Sequence, residues 1–115
     1  MLEQPVFIQG HYVFEGKGLE TPIPLEPAAT YVVPRDKRAQ MIYFRGGNSA
    51  DELIYVLLLR NQKPMRYFAI GAKAAIHVPL AVVEDLHPDT VLEVFLAAPE
   101  GAKGSAILDI GLVEI

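Results

Sequence analysis

Three histidines, His11, His77 and His87, are the imidazoles that this chain of 115 residues offers for metal binding or proton transfer, and it contains no cysteine. Without thiolates, a disulfide framework, a cysteine zinc site, an iron–sulfur cluster and a cysteine nucleophile are excluded. A first-row metal on a β framework calls for histidines at i and i+2, because the strand period of two aims both rings at one face. His77 is followed instead by Val78 and Pro79, and Glu84 stands too far along to complete a ligand motif. Metal and cofactor sites are therefore not expected. His11 reads as a strand residue on a mixed face, His77 as a residue hydrogen-bonded at a sheet face or edge, and His87 as a turn residue before Pro88.

Nucleophilic and phosphate chemistry find as little support. Ser49 and Ser105 are the only serines, and neither lies in a GxSxG turn. HExxH, GxGxxG after a strand, and GxxxxGK followed by Ser or Thr are also missing. Glu15-Gly16-Lys17-Gly18 has the glycine spacing of a phosphate loop without the helix that should follow it. Paired acids for glycoside hydrolysis must face each other across roughly 5 to 9.5 Å. Glu84 and Asp85 are adjacent and point apart on a strand, while Asp109 stands alone on an otherwise apolar face. Read as an inward carboxylate, Asp109 needs a partner, and Arg45, Arg60 and Arg66 each lie at a strand end or beside apolar residues. A structural ion pair and an anion or ligand site are the two readings of it, the ion pair being the simpler.

The best single candidate for a ligand surface is Tyr43-Phe44-Arg45-Gly46-Gly47-Asn48, where an aromatic ring, a guanidinium, backbone amides and a carboxamide converge. Such a set suits a sugar hydroxyl, a carboxylate or a phosphate. The plainer reading is a strand end followed by a glycine-rich turn. Together these arguments select Tyr43, Arg45, Asn48, Arg66, His77 and Asp109 as ligand-binding candidates, with no catalytic and no metal residue among them. Tryptophan, a common platform for sugar stacking, is absent, and the five tyrosines are its available substitutes.

Short β-prone runs must position these side chains. Residues 6–14, 29–33, 40–45, 53–60, 65–70, 74–80, 91–97 and 106–115 are rich in Val, Ile, Tyr, Phe and Leu, and turn residues separate them. In 6–14, Phe7, Gln9, His11 and Val13 share one face; in 106–113, Ala106, Leu108, Ile110 and Leu112 oppose Ile107, Asp109, Gly111 and Val113. Residues 46–51 read as a long turn, and 53–60 and 65–70 as a hairpin. Residues 91–97 and 106–115 read as a second hairpin around the Pro99–Gly104 turn signals. Pro22, Pro24 and Pro27 make residues 21–27 an extended crossing or an edge. Residues 80–86 are open between strand and a helical turn, with strand favoured by Val82 and Val83.

Hydrophobic residues make up 51% of the chain and charged residues 21%, enough apolar surface to offset the entropy of ordering one domain over 1–115. The expected fold is an all-β, jelly-roll-like antiparallel β-sandwich of about eight strands, with at most one short helical turn. In length and β content the chain is similar to the small barrels of the cupins, although the cupin metal ligands are lacking. Ten basic against fourteen acidic residues leave a net charge of −4 and no basic footprint for nucleic acid. The start carries Glu3, no early Lys or Arg, and breaks at Pro5 and Gly10, unlike a secretory leader. The longest apolar run, 53–59, is far short of the roughly 20 residues that span a bilayer. A soluble, cytoplasmic protein is expected, without membrane or nucleic-acid partners.

The run 53–60 is apolar on both faces, so one side needs cover from the proline-rich segment, from residues 80–86 or from another copy of the chain. A homodimer or higher homo-oligomer, formed through a sheet face or edge, is accordingly expected. The leading function is non-enzymatic: binding or self-association, with a small polar or anionic ligand. The alternative is a cupin-like small-barrel enzyme or small-molecule-binding protein with its pocket near His77 and His11.

Overall fold

Regular alternation of side chains builds the long strands at the two ends of the chain. In a computed structural model, which describes residues 3–115, β1 spans Gln4–Glu15 and β9 spans Lys103–Glu114. Met1 and Leu2, the start of the segment compared with a leader, lie outside the described residues. β1 and β9 pair antiparallel along their whole length without a break in register. One face of the pair buries Tyr12, Phe14, Ala106, Leu108, Ile110 and Leu112; the other presents Phe7, Gln9, His11, Ile107 and Asp109.

The intervening strands are β2 (Ile23–Pro24), β3 (Thr30–Val32), β4 (Ala39–Asn48), β5 (Ile54–Arg60), β6 (Lys63–Ile70), β7 (Ala75–Leu86) and β8 (Val91–Ala97). Sheet A has the order β1-β9-β4-β7; sheet B has β2-β8-β5-β6, with β3 also on β8. β2 and β3 lie against successive parts of β8, at Leu96–Phe95 and at Glu93–Val91, as two halves of one edge strand interrupted at 25–29. Among the described residues, nine segments thus fill eight strand positions, in the order of two interlocked Greek keys that defines a jelly roll. The expected antiparallel sandwich is the fold. Residues 80–86 complete β7 as strand, and no helix among the described residues is long and apolar enough to cross a membrane.

The hairpin expected around Pro99–Gly104 does not form, because β8 belongs to sheet B and β9 to sheet A. Alternation tells which face of a strand is buried. Both sheets bury a face against the other, so alternation does not tell which sheet a strand joins. The connection crosses between sheets and is tied to the end of β1: Gly16 N–H donates to the Ala102 carbonyl at 2.7 Å, and Gly101 N–H donates to the Gly16 carbonyl at 3.0 Å. The β5–β6 hairpin does form. Asn61 and Gln62 both take positive φ in its two-residue turn, the conformation that matches the twist of paired strands.

β4 departs from simple alternation. Its register shifts between Met41 and Tyr43 against both neighbours, β7 and β9. Against β9 the extra residue is Ile42, whereas against β7 the excess lies in β7 at residues 80–83. Ile42 resets the phase, so that Met41 and Phe44 both point into the core while Tyr43, Arg45 and Gly47 face outward. The turn expected from Gly46 onward is instead the end of this strand. Inside, the Phe44 ring stacks on Phe68 of β6 with centroids 4.1 Å apart, joining the two sheets. Two polar ties close the ends of the core. At one end the Tyr31 hydroxyl donates to Glu114 Oε2 at 2.6 Å; at the other, Asn48 Nδ2 donates to the carbonyls of Glu52 and Gly71 at 2.9 and 3.1 Å. Asn48 Oδ1 in turn accepts from Ala50 N–H, so the buried carboxamide is satisfied.

The strand that is apolar on both faces, β5, lies centrally between β8 and β6. Ile54, Val56 and Leu58 fill the core, and Leu57 on the outer side is also buried, opposite Phe95 and Tyr67 on its two neighbours. The 16–22 connection adds cover at one end, where the Tyr55 hydroxyl donates to the Leu19 carbonyl at 2.6 Å.

Removing the cross-sheet stack by Phe44→Ala should destabilise the fold by about 3–5 kcal/mol, measured by chemical denaturation. A second expectation concerns alkaline pH. Burial, and then the hydrogen bond and charge of Glu114, push the Tyr31 phenol well above its ordinary value of 10.0. The folded state therefore keeps a proton that the unfolded chain releases above pH ~10, and stability present below that pH is lost as pH rises further. The melting temperature should fall above pH ~10 in the wild type and less steeply in Tyr31→Phe.

Candidate functional site

Register brings four polar side chains from four strands into one row on the outer face of sheet A. Gln9 of β1 pairs with Asp109 of β9, Asp109 with Arg45 of β4, and Arg45 with His77 of β7. Because paired residues of antiparallel strands point to the same side, all four side chains share the outer surface. The adjoining row reads Phe7, Gly111, Tyr43 and Pro79; the row on the other side reads His11, Ile107, Gly47 and Ala75.

Gly111 is needed where it stands. A Cβ at this position would collide with the Tyr43 ring, which lies across the gap from β4 towards β9. With the ring there, the Tyr43 hydroxyl donates to Asp109 Oδ1 at 3.0 Å, and Gln9 Nε2 donates to the same oxygen at 3.1 Å. Arg45 Nη1 stands 4.0 Å from Asp109 Oδ2, and its side chain is 60% exposed. The carboxylate is thus oriented chiefly by a phenol and a carboxamide, and the guanidinium is loosely tethered beside it. His77 completes the group with its ring edge-on to Tyr43, centroids 6.0 Å apart at 88°. Desolvation, followed by the hydrogen bond and charge of Asp109, raises the Tyr43 phenol above its ordinary value, with Arg45 opposing.

Two open depressions occupy this face. A cleft of about 510 Å³ is bounded by Arg45, Gly47, His77, Ile107 and Asp109. A second, of about 660 Å³, is bounded by His11, Glu15, Ser49, Lys103 and Ser105. They meet at the His11–Ile107 pair. The absence of a side chain at Gly47 keeps the floor of the first cleft low between projecting polar groups.

Of the residues selected from sequence, Tyr43, Arg45, His77 and Asp109 come together here. Asn48 does not; it points inward and holds the β4 end to the 52–71 backbone. Arg66 lies on β6 of the other sheet, its guanidinium 5.4 Å from the centre of the Phe68 ring. Gln9 was not selected, although its place as the polar break between Phe7 and His11 mirrors Asp109 between Ile107 and Gly111. The three histidines are dispersed. His11 and His77 lie on opposite edge strands of sheet A, three inter-strand spacings or about 14 Å apart across the sheet and offset by one row along it, and His87 follows the end of β7. No group of three or more metal-ligating side chains occurs among the described residues.

No protein-family model matches the chain, and no curated protein is similar to it in sequence. Solved structures do resemble it. The chain is similar to the CBM36-1 domain of a multidomain xylanase from the hindgut metagenome of Trinervitermes trinervoides, with a TM-score of 0.62, 15% identity and 96% of each chain covered. At that identity the likeness shows the β-sandwich fold. A looser overlap, TM-score 0.45 and 10% identity, is with an exo-β-1,3-galactanase from Phanerochaete chrysosporium solved with galactose, of which the chain spans 30%.

Gly111→Ala should displace the Tyr43 ring and release its hydroxyl from Asp109. Spectrophotometric titration should then show one more tyrosine ionising near its ordinary pKa than in the wild type, with the folded state retained. An unchanged titration would contradict the arrangement.

Proposed function

We propose that this protein is a non-enzymatic binding module that takes a polyhydroxylated ligand, an oligosaccharide, on the outer face of sheet A. The observation that carries this reading is the row of Gln9, Asp109, Arg45 and His77, drawn from four strands onto one open surface. A carboxamide, a carboxylate, a guanidinium and an imidazole alternate donors and acceptors, as vicinal sugar hydroxyls do. Phe7 and Ile107 beside the row supply apolar contact for the C–H faces of a pyranose ring. The similarity to a domain of a xylanase supports the same class of ligand.

The dispersal of His11 and His77 weighs against an enzyme built around them, since proton transfer or metal chemistry needs such groups within hydrogen-bonding reach of one substrate atom. Arg45, loosely held and exposed, also suits an acidic sugar or another small anion. A cytoplasmic location is part of the proposal.

Affinity electrophoresis in gels containing soluble xylan, β-glucan, galactan or polygalacturonate, followed by calorimetry with the matching hexasaccharides, tests the reading. Retardation by at least one polymer is expected. Arg45→Ala or Asp109→Ala should weaken binding by about 10- to 100-fold, the worth of one charge-assisted hydrogen bond, while Arg66→Ala leaves it unchanged. No retardation by any of the polymers, or equal binding by all variants, contradicts it.

A further inference from the structure

The two sheets have four edges, and three of them carry devices that discourage pairing with another strand. β2 and β3 are short fragments, with Pro24 inside β2 and Pro22 and Pro27 beside it. β6 has Lys63, Pro64 and Arg66 and a register shift against β5. β7 has Pro79 near its centre and a register shift against β4. Proline, basic side chains, short length and bulges are the recognised ways to blunt an edge. β1 is different. It runs 12 residues in unbroken register with β9, carries no Lys or Arg, and has a single proline at its second position. Among the described residues no strand pairs with its other side, which presents a row of backbone donors and acceptors.

We infer that β1 pairs antiparallel with β1 of a second copy of this chain about a two-fold axis at Gly10, joining two four-stranded sheets A into one of eight strands. Two-fold symmetry keeps outer face with outer face, so opposed residues have numbers summing to an even value. With Gly10 opposite its own copy, Phe7 faces Val13, Ile8 faces Tyr12, Val6 faces Phe14, and Gln9 faces His11 of the other copy. No like charges meet. Glu15 falls opposite Pro5, and beyond the strand ends Glu3 is brought towards Lys17 of the second copy. The neighbouring register, centred on Gln9, would instead set Glu3 against Glu15 at both ends, which disfavours it. Charge therefore favours the Gly10 register over the Gln9 one, and the approach of Glu3 to Lys17 makes a second copy a complementary occupant of this edge.

The pairing also extends the site. The row His77–Arg45–Asp109–Gln9 continues directly onto His11 of the second copy, so the cleft beside His77 in one copy runs on into the depression beside His11 of the other. Each copy completes the polar surface of its mate, and the two equivalent surfaces lie on one side of a single continuous sheet.

Sedimentation velocity at 5 to about 200 µM, with circular dichroism to verify folding, tests this. The wild type should sediment with twice the chain mass of 12.6 kDa at the upper concentrations. Phe7 and Val13 are exposed, so charging them should spare the fold. The double variant Phe7→Lys/Val13→Lys places Lys opposite Lys at two symmetric positions and should weaken the dimer at least about tenfold. Phe7→Glu/Val13→Lys places Glu opposite Lys at the same positions and should restore it. A monomer at every concentration, identical behaviour of the two double variants, or dissociation caused only by Tyr67→Glu on the outer face of sheet B would overturn the inference. Capture of foreign extended peptides by a chain that stays monomeric would overturn it as well.

Discussion

The bulge at Ile42 is the constraint on which the interior and the surface both depend. A strand of uniform alternation through 39–48 would put Met41 and Phe44 on opposite faces, and one of them would be lost from the core. The one-residue insertion lets both point inward, so Phe44 reaches Phe68 across the sandwich. The same insertion sends Tyr43 and Arg45 outward into register with Gly111 and Asp109. Core packing and site geometry are therefore two consequences of one irregularity. This is how bulges are commonly used: to re-aim side chains where a regular strand cannot serve both sides.

On the outer face, small residues matter as much as polar ones. Gly111 leaves the space that Tyr43 fills, and Tyr43 in turn directs its hydroxyl to Asp109. Gln9 contributes from the edge strand to the same oxygen. The carboxylate is thereby held in position without a tight ion pair, and Arg45 keeps most of its surface in water. A face of this kind is pre-organised at little entropic cost, since its strands are fixed by a core that is independent of any ligand.

Much of the architecture was legible because period two is a strong signal in 6–14 and 106–113 and groups the residues that share a face. It does not say which face is inward, and Asp109, expected inward, points out beside Gln9 and Arg45. The hairpin at Asn61-Gln62 was legible for a similar reason, with two strands and a short turn in sequence. Three features were not. Nothing in the composition of residues 40–45 marks Ile42 as an extra residue, because every side chain there is one a strand accepts. Gly46 and Gly47 read as a turn, since glycine signals turns and close approach alike; here Gly46 lies against Phe44 and Ile70, and Gly47 lowers the surface. The partner of β9 was misread because alternation carries no information about sheet membership. Arg45 was rightly among three candidate partners for Asp109, but only register separates it from Arg60, which reaches Glu84, and Arg66, which covers Phe68. Asn48 had the chemistry of a ligand group and the burial of a structural one.

The central claim is that sheet A, through the row spanning β1, β9, β4 and β7, is the surface that meets a ligand. Amide chemical-shift mapping by NMR, with whichever hexasaccharide calorimetry shows to bind, addresses it residue by residue. The account predicts that the largest shifts fall on Gln9, Tyr43, Arg45, His77, Asp109 and their neighbours in those four strands, with sheet B unaffected. Shifts concentrated on the outer face of sheet B, or confined to the loops at the ends of the sandwich, would contradict it.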